Sequence, residues 1–200
     1  MGAHLLDPGY FTESDLAELG FRSLGTNIMI ARDSIFVGIP NIAIGSHVRI
    51  DSNVTFASIS GSLTIGDYVH IGGGSHINCT GGVSIGDFVA ISQGVKIYSA
   101  SDDYSGEFMT NPTVPRHLRR DQVGEISIGR HVIIGSGSVI LPGVHLAEGA
   151  AIGALSVVKS NVPGFTVVAG SPAKFIRERS RNVLTLSQEL INGTQVRESQ

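Results

Sequence analysis

Tryptophan is absent from the 200 residues, and cysteine occurs once, as Cys79. A single thiol excludes an intramolecular disulfide framework and suits a reducing compartment. Aromatic residues make up only 6% of a chain that is 42% hydrophobic, so a core has to be assembled from Ile, Val, Leu and Ala. No apolar run approaches the ~20 residues of a membrane span. Met1 to Tyr10 shows no basic stretch followed by an apolar one, the pattern of a secretory leader. A basic excess is missing too: the net charge of −3 gives no electrostatic case for nucleic acid or an anionic membrane. These absences lead to the expectation of one soluble, cytoplasmic domain.

Glycine, by contrast, is abundant at 26 of 200 residues, without the every-third spacing of collagen. Frequent tight turns account for it. The order behind those turns is plainest between Ile128 and Val158, where Ile128, Ile134, Ile140, Leu146, Ile152 and Val158 recur at a strict interval of six. Gly129, Gly135 and Gly153 follow three of them directly. A period of six belongs neither to a helix nor to one long alternating strand. It is the period of a hexapeptide β-solenoid, in which one apolar residue per hexad points into a narrow core.

The same period sets Ile44, Ile50 and Phe56, then Ile65, Ile71 and Ile77, then Ile85, Ile91 and Ile97. Valines four residues past an aliphatic (Val48, Val54, Val69, Val89, Val95, Val132, Val144) add a second inward column. Phase slips at 57–63 and 79–83 mark corner bulges. If three hexads close one coil, coils stack at ~4.8 Å, and the sequence gives roughly six of them.

Ahead of this repeat, Phe11, Leu16 and Leu19 predict a short amphipathic helix over 10–20. Thr12 with Asp15 forms a variant capping box, and Gly20 is the terminator. The domain reading is a cap over 1–43, a solenoid over 44–168 and a helical segment over 169–200. In that last segment Ser171 and Pro172 suit a helix start. One helix is expected to about Asn182 and a second over 185–191, before a frayed tail from Asn192.

The run ISIGRHVIIGSGSVILPGVHLAEGAAIGALSVV, ending in VVAGSPAKFIR, resembles the hexapeptide-repeat acyltransferases. It is most similar to the maltose, galactoside and xenobiotic O-acetyltransferases and to the nucleotide-sugar N-acetyltransferases. The resemblance spans about 44–178. It implies a mainly β fold, the left-handed parallel β-helix, and acetyl-CoA as acyl donor with no metal. It also implies a homotrimer whose active sites lie between subunits, with a long loop reaching across.

Acyl transfer from a thioester needs a deprotonated acceptor, a donor for the developing oxyanion and a site that holds both substrates. It needs no covalent intermediate. In the family's O-acetyltransferases a histidine follows the strand that enters the long loop; here Ile97-Tyr98-Ser99-Ala100-Ser101-Asp102-Asp103 puts Asp102 in its place. An aspartate is a feeble base for a sugar hydroxyl. Either the acceptor is an amine, or an imidazole comes from elsewhere. His70 and His76 each precede a core position, so both point outward. A dyad of His70 with Asp102 or Asp103 across the subunit boundary would fix the imidazole tautomer and stabilise the imidazolium. Between the histidines, Ile71-Gly72-Gly73-Gly74-Ser75 lacks the substrate-positioning asparagine of relatives.

The interruption at 98–125 is the strongest feature outside the repeat, since long loops leaving a regular scaffold are usually functional or disordered. Tyr104, Glu107, Asn111 and Arg116 are its candidate sugar-binding residues, and Arg116 to Arg120 form a basic run suited to a diphosphate. Small residues of the later coils (Gly135, Ser136, Gly153, Ala154) would let a pantetheine arm lie against backbone. The resemblance matches Ala154, Lys174 and Arg177 to cofactor contacts. His131 and His145 face outward without metal-ligand spacing.

The function expected is acetyl transfer to a sugar, more readily to the amine of a nucleotide-linked amino sugar in cell-surface polysaccharide synthesis. A sugar hydroxyl is the alternative acceptor. A non-catalytic or carbonic-anhydrase-like metal-binding solenoid is the alternative of another class.

Overall fold

The computed structural model describes residues 7–198. The N-terminal helix α1 (Glu13–Glu18) starts where the capping box places it: the Asp15 amide donates to Thr12 Oγ1 and the Thr12 amide to the Asp15 carboxylate. Leu19 closes it, and Gly20 follows with φ 77°. The helix buries Leu16 against the first coil, and Asp15 pairs with Arg32 at 2.7 Å.

Short strands then wind into a three-sided parallel β-helix. The first face stacks Ser23–Leu24, Ile42–Ile44, Leu63–Ile65, Val83–Ile85, Ile126–Ile128 and His145–Leu146. The second begins Met29–Ile30, Arg49–Ile50, His70–Ile71, Ala90–Ile91 and continues through Ile133–Ile134 and Ala151–Ile152 to Thr166–Ala169. Ile35–Val37, Thr55–Ala57, His76–Asn78, Lys96–Tyr98, Val139–Ile140 and Val157–Val158 make the third. Six coils are complete and a seventh is begun. The hexad residues lie in register, Ile50 beside Ile71 and Ile71 beside Ile91, and the predicted valine column is buried with them. Each such side chain contributes ~1.5–3 kcal/mol by leaving water.

The parallel ladder starts at Ser23, well ahead of the boundary at 44 suggested by the period. The first coil lacks clean hexads because it is the end coil. Phe36 stacks on Phe56 at 4.7 Å and Phe21 meets Phe36 edge-on at 5.4 Å, so aromatic rings replace the aliphatic column there.

Two readings of the C-terminal segment are corrected. Lys174–Glu178 is a strand, not a helix begun at Pro172, and it pairs antiparallel with Thr166–Ala169. The last solenoid strand offers an open edge, and hydrogen bonding to that edge outweighs the local capping signal. One helix, α2 (Asn182–Glu198), then spans both the expected 185–191 helix and most of the tail expected to fray.

One corner carries a ladder of rings. His47, Tyr68, Phe88 and His131 each have φ near 58° and stack at 4.5, 5.0 and 5.0 Å with nearly parallel planes. Left-handed backbone is costly for such residues, and ring contact offsets part of that cost. At the next step the ladder place of Gly149 is taken by Phe165, whose ring would lie 2.5 Å from a Cβ there. The Arg181 guanidinium covers Phe165 at 4.3 Å. His131, expected to face outward, is thus buried at 6% exposure, whereas His145 faces out.

Candidate active site

The loop that interrupts the repeat leaves the third face on a stalk. Ala100–Ser101 pairs antiparallel with Gln122–Val123, Ala100 opposite Val123 and Ser101 opposite Gln122. Where the stalk meets the third face, a cavity of about 580 Å³ opens, large enough for a sugar. Asn78, Thr80 and Tyr98 line it from the coils; Asp102, Tyr104 and Arg119 line it from the loop.

The two neighbouring aspartates part company here. The Asp103 carboxylate accepts from Ser105 Oγ at 2.8 Å, the Gly106 amide at 2.9 Å and the Phe108 amide at 3.4 Å. The Ser105 hydroxyl and those amides hold it below the usual carboxylate range. Asp103 is therefore spent on folding the loop. Asp102 accepts one long bond, from the Asn111 amide at 3.3 Å, and it lines the cavity.

Among the other loop candidates, Tyr104 is 87% exposed at the cavity mouth. Glu107 lines a neighbouring depression with Asp103, Phe108 and Arg120. The Asn111 side chain accepts from the Thr113 amide and hydroxyl, which commits it to its own turn. Arg116 opens an exposed 3₁₀ turn, Arg116–Leu118, away from the cavity wall. Arg119, which the sequence could not separate from the rest of the basic run, lines the cavity with Asp121; its Nη1 is 3.7 Å from that carboxylate. Its Nε is buried with no hydrogen-bond partner.

His70 and His76 do lie on adjacent faces. Within this subunit, however, the carboxylate on His70 is neither Asp102 nor Asp103. It is Asp51 of the preceding coil, with Oδ2 at 2.8 Å from Nε2. Burial alone would raise the Asp51 carboxyl, but bonds from His70 and Arg49 outweigh it and hold it low. His76 is half-buried, its ring 5.7 Å from that of Tyr98. Burial and then the nearby Lys96 charge keep it below the ordinary histidine value.

Of the expected cofactor residues, Ser136 and Ala154 are exposed on the corner beyond the second face. Gly135 and Gly153 have an internal reason to be small: a Cβ on Gly135 would stand 2.5 Å from the Ala154 amide nitrogen, and one on Gly153 would stand 2.8 Å from the Ala169 Cβ. Lys174 and Arg177 are exposed on the terminal strand. Cys79 is buried at a corner, its thiol pushed up to about 12 by burial, which leaves it no nucleophilic role. Among the described residues no three His, Cys, Asp or Glu side chains gather as a metal site, and no helix is long and apolar enough to cross a membrane.

A parallel β-helix with one extruded loop framing a polar, carboxylate-bearing cleft defines a hexapeptide-repeat transferase. Residues 125–160 match the family described as bacterial transferase hexapeptide (six repeats). The chain is 49% identical over 177 residues to dTDP-4-amino-4,6-dideoxy-D-glucose acyltransferase of Escherichia coli, spanning 88% of this chain and 92% of that one. It is 32% identical over 146 residues, 69% of each chain, to WbbJ of Escherichia coli K12, named for lipopolysaccharide biosynthesis O-acetyl transfer. The crystal structure of AntD, an N-acyltransferase from Bacillus cereus, in complex with dTDP and 3-hydroxybutyryl-CoA superposes with a TM-score of 0.90. It is 32% identical and covers 94% of this chain and 98% of its own. The chain belongs to the hexapeptide-repeat sugar acyltransferases and is an acyltransferase. Its architecture is the left-handed parallel β-helix that the resemblance implied.

Proposed function

We propose that this enzyme transfers an acyl group from a coenzyme A thioester to the amino group of a dTDP-linked 4-amino-4,6-dideoxy sugar, with Asp102 as the general base. The observation that carries this reading is the cavity beneath the loop, which is walled by carboxylates and, among the described residues of this subunit, by no imidazole. An amine has to lose only an ammonium proton before it attacks, a task within a carboxylate's reach where a hydroxyl's is not. Asp102 takes the ammonium proton and releases it to solvent; the freed amine forms a C–N bond to the thioester carbonyl, the C–S bond breaks, and the second nitrogen proton passes through Asp102 to the leaving thiolate. The relative that acts on dTDP-4-amino-4,6-dideoxy-D-glucose and an AntD variant holding that amino sugar with coenzyme A support the acceptor class.

The donor would lie along the exposed corner at Ser136 and Ala154, with Lys174 and Arg177 meeting its phosphates. Three subunits would complete the sites, the loop of one reaching its neighbour. Exposed Ile35, Val37, Phe175 and Ile176 offer apolar surface for such packing. The cytoplasm, where nucleotide sugars and acyl-CoA meet, is the place proposed for the reaction.

A hydroxyl acceptor is the second reading, favoured by the His70–Asp51 pair, an imidazole already oriented by a carboxylate. Incubation of the enzyme with acetyl-CoA and dTDP-4-amino-4,6-dideoxyglucose, followed by mass spectrometry and mild alkali, separates the two. An alkali-stable amide is expected; an alkali-labile ester on one of the sugar's hydroxyls would replace this reading with the second.

A further inference from the structure

We infer that Asp121, on the returning arm of the stalk, is the second carboxylate of the acceptor pocket, and that it makes the pocket select an ammonium-bearing sugar over its hydroxyl counterpart. The inference rests on the acceptor reading above. It starts from the stalk's register: Ala100 faces Val123 and Ser101 faces Gln122, and Asp102 and Asp121 are the next residue on each arm, just past the end of the ladder. Like charges brought near one another across two such arms repel. Both aspartates line the one cavity.

The repulsion has little relief inside the chain. The Asp103 charge is met by hydrogen bonds from a hydroxyl and two amides, but among the described residues Asp121 has only Arg119, whose nearest nitrogen is 3.7 Å away, beyond a hydrogen bond. Counting Asp102, Asp121 and Arg119, the pocket carries a formal charge of −1. A neutral hydroxyl sugar leaves that charge uncompensated. An ammonium group placed between the two arms balances it and gives both carboxylates a charged donor, the stronger class of hydrogen bond. Asp102 is then free to take the proton while Asp121 stays on the substrate as its positioning partner.

The test is calorimetric binding of dTDP-4-amino-4,6-dideoxyglucose and of dTDP-6-deoxyglucose, its hydroxyl counterpart, to the full-length enzyme at pH 7. Wild type should prefer the amine by about tenfold or more, the size of one charge-assisted bond. Asp121→Asn should lose about tenfold for the amine while its affinities for the hydroxyl sugar and for coenzyme A hold, and Asp121→Glu should recover part of the loss. Asp121→Ser repeats the comparison with a smaller side chain. A preference that persists in both Asp121→Asn and Asp121→Ser, or a wild type without one, overturns the inference and leaves the acceptor reading standing. A wild type that binds neither nucleotide sugar overturns the acceptor reading itself.

Discussion

His70 Nε2 stands 2.8 Å from Asp51 Oδ2, and the two residues lie on adjoining coils of the same face. The pair is half-exposed, with Arg49 on the other carboxylate oxygen at 2.7 Å. An exposed network of this kind is worth ~0–1 kcal/mol, so His70→Ala should leave thermal stability nearly unchanged. With Asp102 as base, turnover of the amino sugar should fall by less than about tenfold. A drop of ~10² or more, the usual cost of removing a general base, would move that role to His70.

His131 gives the fold an acid-sensitive point. Burial, then the Arg130 and Arg179 charges, hold its folded value below the ordinary ~6.5 of histidine. The unfolded chain therefore binds the proton more readily than the folded one. Stability is full above about pH 6.5 and declines as pH falls through that value toward the folded one. Urea titrations at pH 7.5 and 5.5 should show this decline, and His131→Phe, which keeps the ring stack on Phe88, should flatten it. An unchanged slope in that variant would show that His131 is not the group responsible.

Arg179 ties the terminal hairpin to the coils. Its Nη1 donates to the carbonyls of His131 at 2.7 Å and Gly149 at 2.9 Å, while Ser187 Oγ reaches His131 Nε2 at 3.3 Å. Removing a charged donor from such carbonyls costs about 1.5–3 kcal/mol. Arg179→Ala should lower stability by that amount and raise hydrogen exchange at the start of α2, with no change at the first coil.

Gly61 and Gly74 separate two kinds of glycine. A Cβ on Gly61 would run into the Cys79 carbonyl oxygen, whereas Gly74, at φ 70°, has nothing within 4 Å. Gly61→Ala should cost ~1–3 kcal/mol or more by overpacking; Gly74→Ala should cost about 1–2 kcal/mol, for its left-handed backbone alone. Chemical denaturation ranks them directly.

The coils were legible because one physical requirement, an aliphatic residue per hexad facing a narrow core, repeats in sequence. What depends on two coils at once was not. Asp51 reaches His70 only through a coil length altered by the bulge at 57–63, and no spacing rule gives that partner. Asp102 and Asp103 are indistinguishable side by side; the turn at Ser105 and Gly106 decides which is spent. Asp121 entered the pocket through the stalk's register, for which the sequence offers only the charge itself. At Pro172 a sound local signal for a helix lost to the open edge of Thr166–Ala169, a competition that only the folded solenoid sets up.

The account's central claim is that Asp102 takes the proton of the acceptor amine. Steady-state kinetics of Asp102→Asn with acetyl-CoA and dTDP-4-amino-4,6-dideoxyglucose test it most directly. A fall in kcat of ~10²-fold or more, with coenzyme A affinity at the wild-type level, is predicted. Turnover within a few-fold of wild type would contradict the claim.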